Sequence, residues 1–159
     1  GLIVWQFPPS RGLQQDDFAG FLDLLPRALN GHALRHTIDV RPARIRCAGF
    51  LQLARAHRCA CVYTDSHEYP NFADVTGDFV YARLMRSREY ERHGYPTAEL
   101  DAWAARARSW HEGHEPDDLP HVSSVAPAAS GRRDVFIYFI SAAKARNPAA
   151  AMALPGRLS

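Results

Sequence analysis

Lysine is nearly missing from this chain of 159 residues. Lys144 is the only one among 19 basic residues, and every other fixed positive charge is an arginine. The high Ala, Arg and Pro content leans the same way, as the codon bias of a GC-rich genome does. Arginine still matters locally, because its planar fork clamps anions that a lysine holds less well. Charge of one sign is also scarce: the net charge of +2 excludes the broad basic field of a nucleic-acid protein. Cysteine is limited to Cys47, Cys59 and Cys61, too few for a disulfide framework and suited to a reducing compartment. No apolar run is long enough to span a membrane. No basic segment precedes an apolar one, so no signal peptide is read, and the cytoplasm is the expected location. The absence of an initiating methionine predicts a start inside a longer reading frame. Gly-rich phosphate loops, a dinucleotide fingerprint and a Ser–His–Asp ordering are all lacking. No cofactor is therefore expected.

What the chain does have is five short apolar runs that end in polar residues. They cover 2–7, 34–40, 60–65, 79–84 and 135–140, and their ends carry Gln6, Asp39 with Arg41, Asp65, Arg83 and Ser141. A charge at the end of a buried strand is costly unless it is paired or faces a site. Helical spacing fills the gaps between runs. Asp16 and Asp17 open a helix with Phe18, Phe21, Leu22 and Leu25 on one side, which fades after Pro26 and stops at Asn30-Gly31. Phe50, Leu51 and Ala54 form the stripe of a second helix over 47–57. Leu100, Trp103, Ala107 and Trp110 form that of a third, capped by Thr97. Asn147-Pro148 reads as an N-cap and first-turn proline of a fourth. Residues 111–133 carry no periodicity and read as a flexible insertion in a single domain over 1–159. Repeated strand–helix order argues for a parallel sheet with helices outside.

Several segments resemble the domain-of-unknown-function 72 (YecE-like) family, a TIM-barrel-like group. They are Trp-Gln-Phe-Pro-Pro at 5–9, Ile-Asp-Val-Arg at 38–41, Val-Tyr-Thr-Asp-Ser at 62–66, the stretch 74–84, Leu-Asp-Ala-Trp-Ala at 100–104 and Asp-Val-Phe-Ile-Tyr-Phe at 134–139. The resemblance implies that these are the fourth to eighth strand units of a (β/α) barrel. It then implies a partial barrel, with the first three strands missing and the outer strand edges unpaired. There are departures. Asp39-Val40-Arg41-Pro42 stands where the family has Glu-Phe-Arg-His, and Ile140-Ser141 stand where many members carry an Asn pair.

Strand alternation puts Thr37, Asp39 and Arg41 on one face, as it does Cys61, Tyr63 and Asp65, then Phe79, Tyr81 and Arg83, and Leu2, Val4 and Gln6. If those faces line the barrel, two acids and two arginines meet at its mouth. Such a mouth would bind a small anionic, phosphorylated or sugar-like ligand. In a reaction Asp39 or Asp65 would be the acid or base, Arg41 and Arg83 the clamp, and Gln6 the orienting group. The competing reading is a structural ion-pair layer. A second anion position is expected between the loops after the last two strands, from Arg86, Tyr90, Lys144, Arg146 and the helix opening at Asn147. The alternative to a binding protein is a truncated, non-catalytic copy that self-associates through open sheet edges. Membranes and nucleic acid are not expected as partners. His57-x-Cys59-x-Cys61 has the wrong spacing for zinc, so no metal is expected and the two cysteines read as core residues.

Overall fold

The computed structural model describes residues 1–8, 15–41, 47–69, 71–123 and 131–158. Pro9, Pro42 and residues 124–130, which entered the sequence reading, lie outside that set. The elements are β1 (Leu2–Phe7), α1 (Gln15–Asp23), β2 (Ala28–Leu29), β3 (His32–Ala33), β4 (Arg35–Val40), α2 (Ala48–Ala56), β5 (Ala60–Thr64), β6 (Phe79–Leu84), α3 (Thr97–His111), β7 (Asp134–Phe139) and α4 (Asn147–Ala153). The main sheet has five strands in the order β1-β4-β5-β6-β7, and every neighbouring pair is parallel. The α/β reading from alternating strands and helices thus holds, and among the described residues the sheet is open.

The sheet is strongly curled. Arg35 Nη1 of β4 meets Asp134 Oδ2 of β7 at 2.5 Å, across two intervening strands. At the other end Arg83 Nη1 of β6 reaches Gln6 Oε1 of β1 at 3.2 Å. Residues paired across parallel strands share a face. The concave face therefore carries Leu2, Val4 and Gln6 beside Arg35, Thr37 and Asp39, and Val62 and Thr64 beside Tyr81 and Arg83. Its apolar floor is Ala60, Val62, Phe79 and Tyr81, with Leu2, Val4 and Phe136 packed on it. The convex face packs Ile38, Val40 and Cys61 against Phe18 and Leu22 of α1 and Phe50, Leu51 and Ala54 of α2. Val80, Ala82 and Leu84 meet Leu100, Trp103, Ala104 and Trp110 of α3 and Ala150 of α4 in the same way.

Three expectations change. First, Cys61 and Tyr63 point outward, not into the curl: Tyr63 lies 5.7 Å from the rings of both Trp103 and Trp110. The narrow interior takes Ala60, Val62 and Thr64, and the large ring goes between sheet and helix. Second, Asn30-Gly31 does not end a helix. Helix α1 stops at Asp23, before Pro26, and Asn30 (φ 51°) and Gly31 (φ 79°) turn the small β2–β3 hairpin. Third, Thr97 and Asn147 are the first residues of their helices, and neither helix start has a side-chain cap. The core reading of Cys59 and Cys61 holds. Both are buried, and burial raises both thiols, Cys61 to about 12. Among the described residues no helix is long and apolar enough to cross a membrane.

Candidate functional site

Strand β1 delivers Gln6, β4 delivers Asp39 with Arg41 just beyond it, and β6 delivers Arg83, all at strand C-termini on the concave side. Asp39 Oδ2 accepts from Arg83 Nη1 at 2.5 Å and from Arg41 Nη2 at 2.8 Å. Gln6 Oε1 takes a second bond from Arg83 Nη1. The side chains are only 9 % (Arg41), 5 % (Asp39) and 16 % (Arg83) exposed. Two guanidiniums thus share one carboxylate oxygen in a half-dry place, and one positive charge is left over. Desolvating such a group costs several kcal/mol per ion, roughly offset only if every fork finds a partner. Arg41 is short of that, since its Nε is buried without one. Its guanidinium lies 3.7 Å from the centroid of the Tyr69 ring instead. On the far side Tyr138 stacks on Tyr81 at 4.8 Å and is 41 % exposed. Its register partner is Arg83, so it stands on the same face.

Asp65 does not join this group. It follows the outward-turned frame of β5, and its carboxylate accepts from the Met85 amide at 2.6 Å and the Tyr95 hydroxyl at 3.1 Å. Tyr95 is packed among the helix-side core residues, and its oxygen accepts from the Arg86 amide at 2.7 Å. Burial raises the Asp65 carboxyl against the opposing pull of the Met85 amide and the Tyr95 hydroxyl. Burial and then the nearby Asp65 charge raise the Tyr95 phenol. Asp65 and Tyr95 are a brace that fixes the start of the loop after β6.

The second expected group also divides. Arg86 lines a cleft of about 310 Å³ with Ser66–Tyr69, Met85, Ser141 and Ala142, all just beyond strands β5, β6 and β7. Tyr90 is 80 % exposed, and Lys144 is exposed in the short 3₁₀ turn before α4. Arg146 Nε donates to Glu89 O, and Arg146 lines a different surface hollow with Arg92 and Met152. Asn147 is buried and its Nδ2 donates to Ser141 O at 3.0 Å. No open helix start exists there: the Arg146 and Asn147 amides are already bonded to Ala143 O and Lys144 O, and Pro148 has none. The residues missed by sequence reading are Tyr69 and Tyr138. An aromatic within one helical turn's length of a polar strand end is the available signal: Tyr69 follows Asp65 by four residues and Tyr138 precedes Ser141 by three.

A curled parallel sheet, helices on its convex side and a charged mouth at the strand C-termini define an α/β protein of the (β/α)-barrel type. The chain belongs to the family described as protein of unknown function DUF72, whose family model matches residues 1–159. Two solved structures share the fold. One is a DUF72 family protein from Enterococcus faecalis, with TM-score 0.64 and 15% identity over 99% of this chain and 60% of that one. The other is a DUF72 family protein from Thermotoga maritima, with TM-score 0.67 and 15% identity over 99% of this chain and 57% of that one. The present chain therefore spans about three fifths of their length. None of the curated proteins matches it.

Proposed function

We propose that this DUF72 protein binds a small anion at the concave mouth, with Arg41 and Arg83 as the clamp and Gln6 as a neutral orienting group. The observation that carries the reading is the two-to-one charge count: two half-dry guanidiniums converge on the single Asp39 oxygen. The single Asp39 carboxylate leaves one positive charge uncompensated, and that surplus suits one more negative group. Asp39 holds the two forks together through one oxygen. Asp65 acts one layer behind, by fixing the Met85 and Arg86 backbone.

Isothermal titration with inorganic phosphate and with acetate tests this. Binding is expected, and Arg83→Gln is expected to weaken it by about 1.5–3 kcal/mol, the range for a charge-assisted hydrogen bond. Heats indistinguishable from dilution for both anions would refute the reading.

A second reading, occupation of the open sheet edges by another copy of the chain, is favoured by one observation. Val135, Ile137 and Phe139 of edge strand β7 line a largely apolar hollow of about 420 Å³ with Ala107 of α3 and Leu154 beyond α4. Sedimentation velocity decides it: a concentration-dependent dimer supports this reading, and a monomer throughout removes it.

A further inference from the structure

We infer that the mouth and the neighbouring cleft are one site, and that its ligand is an acidic monosaccharide: a sugar ring bearing a carboxylate or a phosphate. The inference rests on the anion-binding reading of Arg41 and Arg83 and adds what the rest of the ligand must be.

Tyr69 joins the two places. Its ring lies under the Arg41 guanidinium at 3.7 Å, and the same residue lines the cleft beyond β5. At about 310 Å³ the cleft sits at the bottom of the range for small-molecule pockets, roughly 300–1,000 Å³. That volume suits one ring and is too small for a dinucleotide.

The lining then selects the kind of ring. Arg86 lines the cleft with no carboxylate at ion-pair distance among the described residues, its charge acting on Asp65 from further off, whereas Arg35, Arg88, Arg106 and Arg157 each have a carboxylate. Its own backbone is held by the Tyr95 hydroxyl, so the guanidinium is the part left to bind. Glu68 lines the same cleft, also without a cationic partner among the described residues, and its amide is tied to Ser66 Oγ at 3.1 Å. A second anionic group placed here would be attracted by Arg86 and repelled by Glu68. A hydroxyl satisfies both, because it donates to a carboxylate and accepts from a guanidinium. Vicinal hydroxyls on a ring offer that pair of bonds together.

The opposite wall is strained. Ser141 and Ala142 hold successive positive φ values of 61° and 43°, a conformation that costs non-glycine residues about 1–2 kcal/mol each. The Asn147 side chain holds the Ser141 carbonyl in that turn. Neither the Ser141 nor the Ala142 amide is spent on a bond among the described residues, so both remain donors at the cleft wall.

Titrations with D-glucuronate, D-glucose 6-phosphate, acetate, inorganic phosphate and D-glucose test the inference, each against wild type, Arg83→Gln and Glu68→Gln. At least one acidic sugar is expected to bind about tenfold more tightly than its bare anion, and neutral glucose to bind much more weakly. Glu68→Gln is expected to reduce the preference for the acidic sugar over the bare anion, and Arg83→Gln to weaken all anions together. Bare anions that bind as well as both acidic sugars would overturn the ligand class and leave the anion site standing. A preference unchanged in Glu68→Gln would also overturn it. Failure of every anion to bind would remove the anion site itself, and this inference with it.

Discussion

Replacing Asp39 with alanine leaves Arg41 and Arg83 facing each other across an empty place, and the structure allows the cost to be sized. Both side chains are mostly buried, at 9 % and 16 % exposed, and both direct a nitrogen at the same oxygen, at 2.8 Å and 2.5 Å. Breaking a fully buried pair by removing one partner costs about 3–5 kcal/mol. Arg83 retains some water and a bond to Gln6, so about 2–4 kcal/mol is expected for Asp39→Ala. For a chain of this length each kcal/mol moves Tm by roughly 2–4 °C, which gives a fall of roughly 5–15 °C. Phosphate should then return more stability to the variant than to wild type, because it replaces the lost carboxylate. At 100 times its Kd a ligand adds about 2.7 kcal/mol. Adding Arg83→Gln to Asp39→Ala should cost less than the sum of the two single changes, since it removes one of the stranded charges. Circular dichroism melts with and without phosphate read all three effects. An Asp39→Ala protein that melts like wild type, or one that gains no more from phosphate than wild type does, would refute both the shared-charge picture and the anion site drawn from it.

Three further outcomes are expected. His36 is buried; its Nδ1 accepts from Trp5 Nε1 at 3.1 Å and its Nε2 donates to Pro26 O at 2.7 Å, so His36→Leu strands a donor and an acceptor and should cost about 2–4 kcal/mol in urea unfolding. The Asp65 carboxyl titrates higher in the fold than its ordinary 3.8. The unfolded chain therefore binds fewer protons than the native one just above that pH, and this residue's contribution falls as pH rises through the folded value. Asp65→Asn, whose Oδ1 can keep the Met85 bond while its amide nitrogen turns the Tyr95 contact around and donates to the phenol oxygen, should flatten that part of a Tm–pH curve; a curve parallel to wild type would count against the burial argument. Gly94 has φ +71°, and a Cβ there would stand 3.3 Å from Arg146 Cβ, Arg146 O and Ser87 Cβ. Gly94→Ala should thus destabilise by about 1–3 kcal/mol in the same urea assay.

The five strands of the main sheet and the four helices were legible because the apolar runs were short and bounded by polar or turn residues, and the stretches between them kept helical spacing or helix-start residues. The site was legible only in part, and the reason is specific to β5. A parallel strand buried on both faces reads as a continuous apolar run, with no alternation to say which face is which. In Ala60–Thr64 every residue is buried, so Cys61, Tyr63 and Asp65 could be assigned to the wrong side by a slip of one residue. Two tryptophans seven residues apart on α3 were the missed cue, because a helix that brings Trp103 and Trp110 to a sheet asks for a large outward partner. In β4 and β6 the ambiguity was absent: Asp39 and Arg83 are charges, and opposite charges on curled strands find each other. Asn30-Gly31 carried a strong hairpin signal, overlooked because the strands it joins are two residues each.

Curl and site are one physical event in this chain. Arg83 reaches Asp39 and Gln6 only because the strands between them bend the sheet, and at the opposite end Arg35 reaches Asp134 for the same reason. The apolar floor of Val62, Phe79, Tyr81 and Phe136 favours that bend by closing on itself. The mouth opposes it, since the bend gathers more positive than negative charge in a place that has lost most of its water. Apolar burial therefore holds open an electrostatic deficit, and an anion that fills the deficit should stiffen the curl. It follows that phosphate should slow amide exchange in β1 and β6, which the Arg83–Gln6 bond ties together at the mouth, more than in α2, which lies on the convex side away from the charges. Uniform protection across all elements would mean that the anion stabilises the fold without acting through the mouth.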